Sequence, residues 1–214
     1  MALTKREIQK LRTQCNKLED GLDYRINDYV SNLMNTVLDF QMKVGPVESA
    51  VEYYEENHGY RTHKKLKAFI DSFPNTKNGN LELANTMWNN NHWTRAKFLR
   101  MLLYEFESRG IKGQQSLKKW VSNADFEKDI KGKFKTKEHS IGIALFQWLR
   151  LRLGVDTVKP DVHIMNFVSN AVGRRISQQE ALDALMIIAK QTNRKAALLD
   201  AAIWHYQKEN AEPG

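Results

Sequence analysis

The chain holds one cysteine, Cys15, among 214 residues. A single thiol cannot close an internal disulfide, a four-cysteine zinc site or a four-cysteine iron–sulfur cluster. With Leu11 and Leu18 at helical spacing from it, Cys15 is expected to pack on a helix face as a small hydrophobe. No apolar run approaches the roughly 18 residues that a membrane span requires, so no membrane partner is expected. The first residues, Met-Ala-Leu-Thr-Lys-Arg-Glu, lack the apolar core of a secretory signal. An intracellular protein is therefore expected, cytoplasmic, and nucleoid-associated if bacterial. The six histidines show no metal-ligand spacing, with His58 and His63 the nearest pair, so neither a metal nor a cofactor is expected. Convincing runs of period-two alternation are missing as well, which argues against a sheet protein.

Positive charge is abundant, with 33 Lys and Arg against 25 Asp and Glu, a net +8. It is uneven: residues 1–57 carry seven basic and ten acidic side chains, a balance of −3, so residues 58–214 carry +11. A basic body suggests a polyanionic partner, nucleic acid first; a solubilising surface is the plainer alternative.

Helical spacing dominates the rest. Ile26, Tyr29, Val30, Leu33, Met34, Val37 and Leu38 mark one helix face. Pro46 can open the next helix, which carries Val47, Val51 and Tyr54. Thr62 and Thr94 can each cap a helix, the second stopping at Gly110. Ser177-Gln-Gln-Glu180 reads as a capping box opening a helix to about Lys190. A last helix runs from about Arg194 to Tyr206. The Asn-rich segment 74–92, with Pro74 and Gly79, reads as the loop-rich region. These patterns predict an all-α protein of roughly nine to eleven helices, either one compact domain or an N-terminal helical region, 1–110, and a second region, 111–214, divided near Gly110 and Gly113.

Two stretches can carry chemistry. Lysines 128, 131, 133, 135 and 137 crowd the approach to a helix expected to start near Ser140, where free backbone N–H groups attract phosphate. Ser140 and Gly142 are small enough to admit a phosphate to the backbone. A solvated lysine loop would show the same composition. Downstream, an apolar helix from Ile141 to Leu153 runs into Gly154, and a short loop presents Asp161 behind Pro160 at the start of another helix. An acid fixed there suits chemistry on a polyanion; it also suits an ordinary helix N-cap.

The order helix, basic hairpin, apolar helix, Gly, loop, Asp, helix resembles the second half of the helix-hairpin-helix DNA glycosylase superfamily. The stretch Lys159-Pro-Asp-Val-His-Ile164 is similar to that family's Val-Asp-Thr-His-Val type of sequence, and Leu198-Leu-Asp-Ala-Ala-Ile-Trp-His-Tyr206 to its closing helix. The resemblance covers about residues 126–206. The hairpin departs from the usual Leu-Pro-Gly-Val-Gly, reading Lys137-Glu-His-Ser-Ile-Gly142.

The resemblance implies a compact, two-lobed helical bundle and a monomer acting on double-stranded DNA with a damaged or modified base. It makes Asp161 the catalytic acid, while Lys133, Lys135, Lys137, Ser140, Gly142 and Lys159 contact DNA. Bifunctional members place a Lys just after the hairpin; the positions here, Gly142 and Ile143, cannot form a Schiff base. A monofunctional glycosylase is implied, one that leaves an abasic site. Trp88 and Trp93 flank a polar segment and could stack on a base or fill a duplex gap. Trp204 could line a base pocket, with His163 orienting its neighbours. Trp120 and Trp148 read as core. The alternatives are a non-catalytic helical DNA-binding protein on the same scaffold, and a helical adaptor whose basic face aids solubility.

Overall fold

The structure is a computed structural model that describes residues 2–39 and 44–210. The described residues form eleven α-helices and one π-helical turn, with no strand beyond an isolated bridge between Lys135 and Ser140. The chain divides into two compact units, one made of residues 26–145 and the other of residues up to Arg25 together with those from Phe146 onward. The expected boundary near 110–115 lies inside the first of these, as the link between two helices.

In the 26–145 unit, α2 (Tyr29–Leu38) is the central element, with α3 (Val44–Asn57), α4 (His63–Asp71) and α6 (Trp93–Ser108) against it and α5 (Lys77–Trp88) against α3 and α6. Asp28 caps α2 by accepting from the Ser31 N–H, and nine of its ten residues are buried. A helix buried on every side must satisfy its polar groups internally. Accordingly Asn32 donates to the carbonyls of Ile26 and Asp28 at 2.9 and 3.0 Å, and Thr36 donates to the Asn32 carbonyl at 2.7 Å. Ile26, expected on the helix face, precedes the cap.

The Asn-rich 74–92 segment is mostly helical, which corrects the loop expectation. Thr76 caps α5 through the Gly79 N–H, and Leu83, Ala84, Met87 and Trp88 bury one stripe. Gly79 sits so near the Pro74 carbonyl that any Cβ would collide with it. Thr94 is likewise not a cap: α6 starts at Trp93, and the Thr94 hydroxyl lies 2.9 Å from His139 Nε2. Thr62 caps α4 as expected.

After α7 (Gln114–Asn123), the π-helical turn Phe126–Ile130 leads into a hairpin. Ile141 N–H donates to the Phe134 carbonyl at 3.0 Å and Thr136 N–H to that of His139 at 2.7 Å. Phe134 and Ile141 are buried, while Lys133, Lys135 and Lys137 are exposed, the alternation expected of an extended pair. The following helix, α8 (Ile143–Arg152), starts at Ile143 and not near Ser140, because Ser140 and Ile141 belong to the hairpin arm.

The other unit packs α1 (Lys5–Cys15) on α9 (Val162–Val172) and α10 (Gln178–Gln191), with α11 (Ala196–Glu209) against α9 and α10. Thr4 and Glu7 form a capping box on α1, and Ser177 and Glu180 the expected one on α10. Cys15 is fully buried, and burial pushes its thiol up to about 12.

Candidate functional site

The loop from Gly154 to Pro160 is fixed at every turn. Gly154 has φ +77°, a conformation that favours glycine, and a Cβ there would press on the Arg25 side chain at 3.2 Å. Thr157 donates to Gln147 Oε1 of α8 at 2.7 Å, and both are buried. Asp156 Oδ1 accepts from the Ala197 N–H, satisfying the start of α11 from a distant segment. Gln178 of α10 donates to the Pro160 carbonyl at 2.9 Å. The Asp161 N–H turns back to the Lys159 carbonyl at 2.7 Å.

Asp161 is the N-cap of α9. Its Oδ1 accepts from the backbone N–H groups of His163 and Ile164 at 3.0 and 3.2 Å. Its Oδ2 lies 3.8 Å from Lys159 Nζ, and both side chains are four-fifths covered. The Lys159 ammonium stands 4.7 Å from the centroid of the Trp148 ring, a cation–π distance. The Tyr24 ring meets the edge of Trp148 at 5.0 Å.

Behind this loop lies Asp200 of α11, only 3% exposed. It accepts a 2.6 Å hydrogen bond from the Lys159 N–H. Burial pushes its carboxyl up to about 8, against the lowering effect of that bond and with added push from the Asp161 charge. Burial also raises the Tyr24 hydroxyl, with Asp200 and then Asp161 adding to it. The result is an acid with one oxygen held by helix amides and the other beside an ammonium, next to a half-buried indole and phenol. Such a group can stabilise a developing positive charge or orient a water.

Across residues 9–208 the chain matches a family described as a domain of unknown function, DUF8548. The chain belongs to the DUF8548 family. No curated protein and no solved structure matches it.

Of the residues singled out in the sequence of this DUF8548 member, Asp161, Lys159, His163 and Trp204 fall in one unit. The His163 and Trp204 rings meet edge-on at 6.1 Å, with Lys208 Nζ 4.8 Å from the Trp204 centroid. Lys133, Lys135, Lys137, Ser140, Gly142, Trp88 and Trp93 belong to the 26–145 unit. Ser140 and Gly142 are exposed. Four hairpin amides are used within the turn: those of Thr136 and Ile141 donate to carbonyls, and those of Glu138 and His139 donate to Thr136 Oγ1.

Trp88 is no wedge: it is 2% exposed, with Nε1 on the Met34 sulfur at 3.2 Å. Trp93 is half-buried, with Lys77 and Lys97 over its ring. Trp120 is also half-buried, in an aromatic trio with Phe106 and Phe134. Trp148 is half-buried beside Lys159 and thus no simple core residue.

Sequence reasoning missed Tyr24, Trp148 and Asp200. Asp200 had a signal, an acid inside the apolar run Ala-Ala-Leu-Leu-Asp-Ala-Ala-Ile. Tyr24 had none. Among the described residues, no group of three or more His, Cys, Asp or Glu side chains is placed to hold a metal ion, and no helix is long and apolar enough to cross a membrane.

Proposed function

We propose that the protein is a divergent, monofunctional helix-hairpin-helix DNA glycosylase with Asp161 as its catalytic residue. The observation that carries this reading is the Asp161 carboxylate, pinned by helix amides on one oxygen and beside Lys159 on the other, with that lysine over the Trp148 ring and Tyr24 at the ring's edge. The order of α7, hairpin, α8, Gly154 loop, Asp161 and α9 agrees with it. In the proposed reaction the bond from C1′ to the base nitrogen breaks, and the base leaves with the bonding electrons. Positive charge grows on the deoxyribose ring, and Asp161 stabilises it. Water then bonds to C1′ and its proton passes through solvent to the departed base, leaving an abasic site. Flipping the base costs a few kcal/mol, and an aromatic face can hold the extruded base by stacking. Lys159 meets the DNA phosphate.

The second reading, a DNA-binding protein without catalysis, is favoured by the use of the hairpin amides inside the turn. One experiment separates the two. Wild-type protein and Asp161→Asn are incubated with duplexes holding alkylated, deaminated, oxidised or hypermodified bases, and abasic sites are revealed with alkali. The glycosylase reading expects release by wild type and a loss of about 10²–10³-fold in the variant. Release from no duplex, with binding intact, would favour the non-catalytic protein.

A further inference from the structure

The 26–145 unit contains an open cavity of about 470 Å³ that the glycosylase reading does not use, lined by His63, Lys64, Lys67, Asp71, Glu107 and Lys112. His63 is the first residue of α4 and is 4% exposed. Its Nδ1 lies 3.0 Å from the Tyr29 hydroxyl, and that hydroxyl donates to the Ile111 carbonyl at 3.3 Å. With the Tyr29 proton on the Ile111 carbonyl, the Tyr29 oxygen can accept from Nδ1–H. The other ring nitrogen, Nε2, is buried without a hydrogen-bond partner. Glu107 Oε1, at 3.7 Å, is a charged neighbour too distant for a hydrogen bond.

The charges around this nitrogen favour an anion. Asp71 is engaged by Lys67 at 2.7 Å, by Arg100 at 3.6 Å and by the Tyr104 hydroxyl at 2.7 Å. Glu107 stands against Lys112 at 3.6 Å and Lys67 at 4.0 Å. Lys64 adds a further positive charge at the rim. Thus the three lysines of the lining, Lys64, Lys67 and Lys112, outnumber its two carboxylates, Asp71 and Glu107, and His63 stands at the positive end of α4. We propose that this cavity is a second binding site, one that takes the phosphate group of a ligand between His63 Nε2, Lys67 and Lys112. Phosphate completes the ring's bonding: Nε2 takes up a proton and donates it to a phosphate oxygen, while Nδ1–H keeps Tyr29. Burial lowers the His63 titration, Glu107 opposes this, and Lys112 and Lys67 add to it. A bound anion reverses that direction, so binding tightens as pH falls.

The inference stands apart from base excision and is tested on Asp161→Asn protein, whose DNA chemistry is disabled. The His63 ring nitrogens are followed by NMR against pH, with inorganic phosphate in one arm and an unmodified DNA duplex in the other. The expected result is an upward move of the His63 midpoint with phosphate. Lys67→Met and Lys112→Met should each weaken binding about tenfold, roughly the loss of one charge-assisted contact. Lys112 is more than half exposed, so a loss there is not unfolding. A shift with the duplex alone would assign the phosphate to a nucleic-acid backbone and keep the site. An unmoved His63 midpoint in both arms, or unchanged affinity in Lys112→Met, overturns it.

Discussion

At the scale of single residues, the helix cap that Asp161 forms and the catalytic role proposed for it can be parted by a pair of substitutions. Its Oδ1 caps α9, and Asn caps about as well as Asp, whereas Ala costs about 1 kcal/mol. Asp161→Asn is therefore expected to melt near wild type while losing base release, and Asp161→Ala to lose both. An Asn variant that melts far below wild type would mean that the carboxylate's charge, beyond its cap, holds the loop. Asp200 gives a different signature because its carboxyl, usually near 4, is pushed up to about 8. Between those two pH values the unfolded chain ionises this group and the folded chain does not. Stability from Asp200 is thus complete below about pH 4 and falls as pH rises to about 8, by an amount on the order of a few kcal/mol. Asp200→Asn keeps an acceptor for the Lys159 N–H and has nothing to ionise. Its urea-unfolding free energy should lack that fall and exceed wild type at pH 8. Parallel profiles for the two proteins would show that Asp200 ionises as freely folded as unfolded.

At the scale of elements, the hairpin and the α8–α9 loop differ in how they can meet a polyanion. The loop is cross-braced to α8, α10 and α11, so its acid is fixed in place. The hairpin offers side chains more than backbone, with Lys133, Lys135 and Lys137 exposed above buried Phe134 and Ile141. Each lysine that meets a phosphate contributes about one unit to the slope of log K against log salt. Replacing all three with Met should flatten that slope by about three and weaken binding alike across sequences; an unchanged slope would remove the hairpin from the interface. The sequence patterns made some of these elements legible and hid others. Ser177 and Glu180 announced α10 because a capping box is local chemistry. The α5 stripe of Leu83, Met87 and Trp88 was obscured by Asn and Gly residues. Gly79 reads as a breaker, yet it is there to let the helix start press against Pro74. Asp161 was legible from its loop, while Tyr24 and Asp200 reach the same place only through tertiary contacts that no local pattern encodes.

At the scale of the whole chain, the division into units is an insertion. Residues 26–145 form one continuous compact unit, and the segments on either side of them in sequence form the other. The N-terminal segment is no appendage to its unit. Leu11 and Cys15 are fully buried, Glu7 pairs with Arg174 at 2.7 Å, Asp20 pairs with Arg194 at 2.6 Å, and the Gly21 N–H donates to the Leu198 carbonyl at 3.0 Å. Burying one Leu is worth about 1.5–3 kcal/mol, against a total stability of about 5–15 kcal/mol for a typical domain. Removing residues 1–25 would strip α9 and α10 of a packed neighbour as well as those pairs. The 26–145 segment, with buried α2 at its centre, keeps its own core. A fragment of residues 26–145 is therefore expected to melt cooperatively by circular dichroism. A chain lacking residues 1–25 should keep amide protection in α2 and α6 and lose it across α9, α10 and α11. An unfolded fragment, or α9–α11 amides as slow to exchange without residues 1–25 as with them, would show that stability does not follow this division. In the latter event the acid site built on α9 and α11 would owe its rigidity to the chain on one side of the insertion alone.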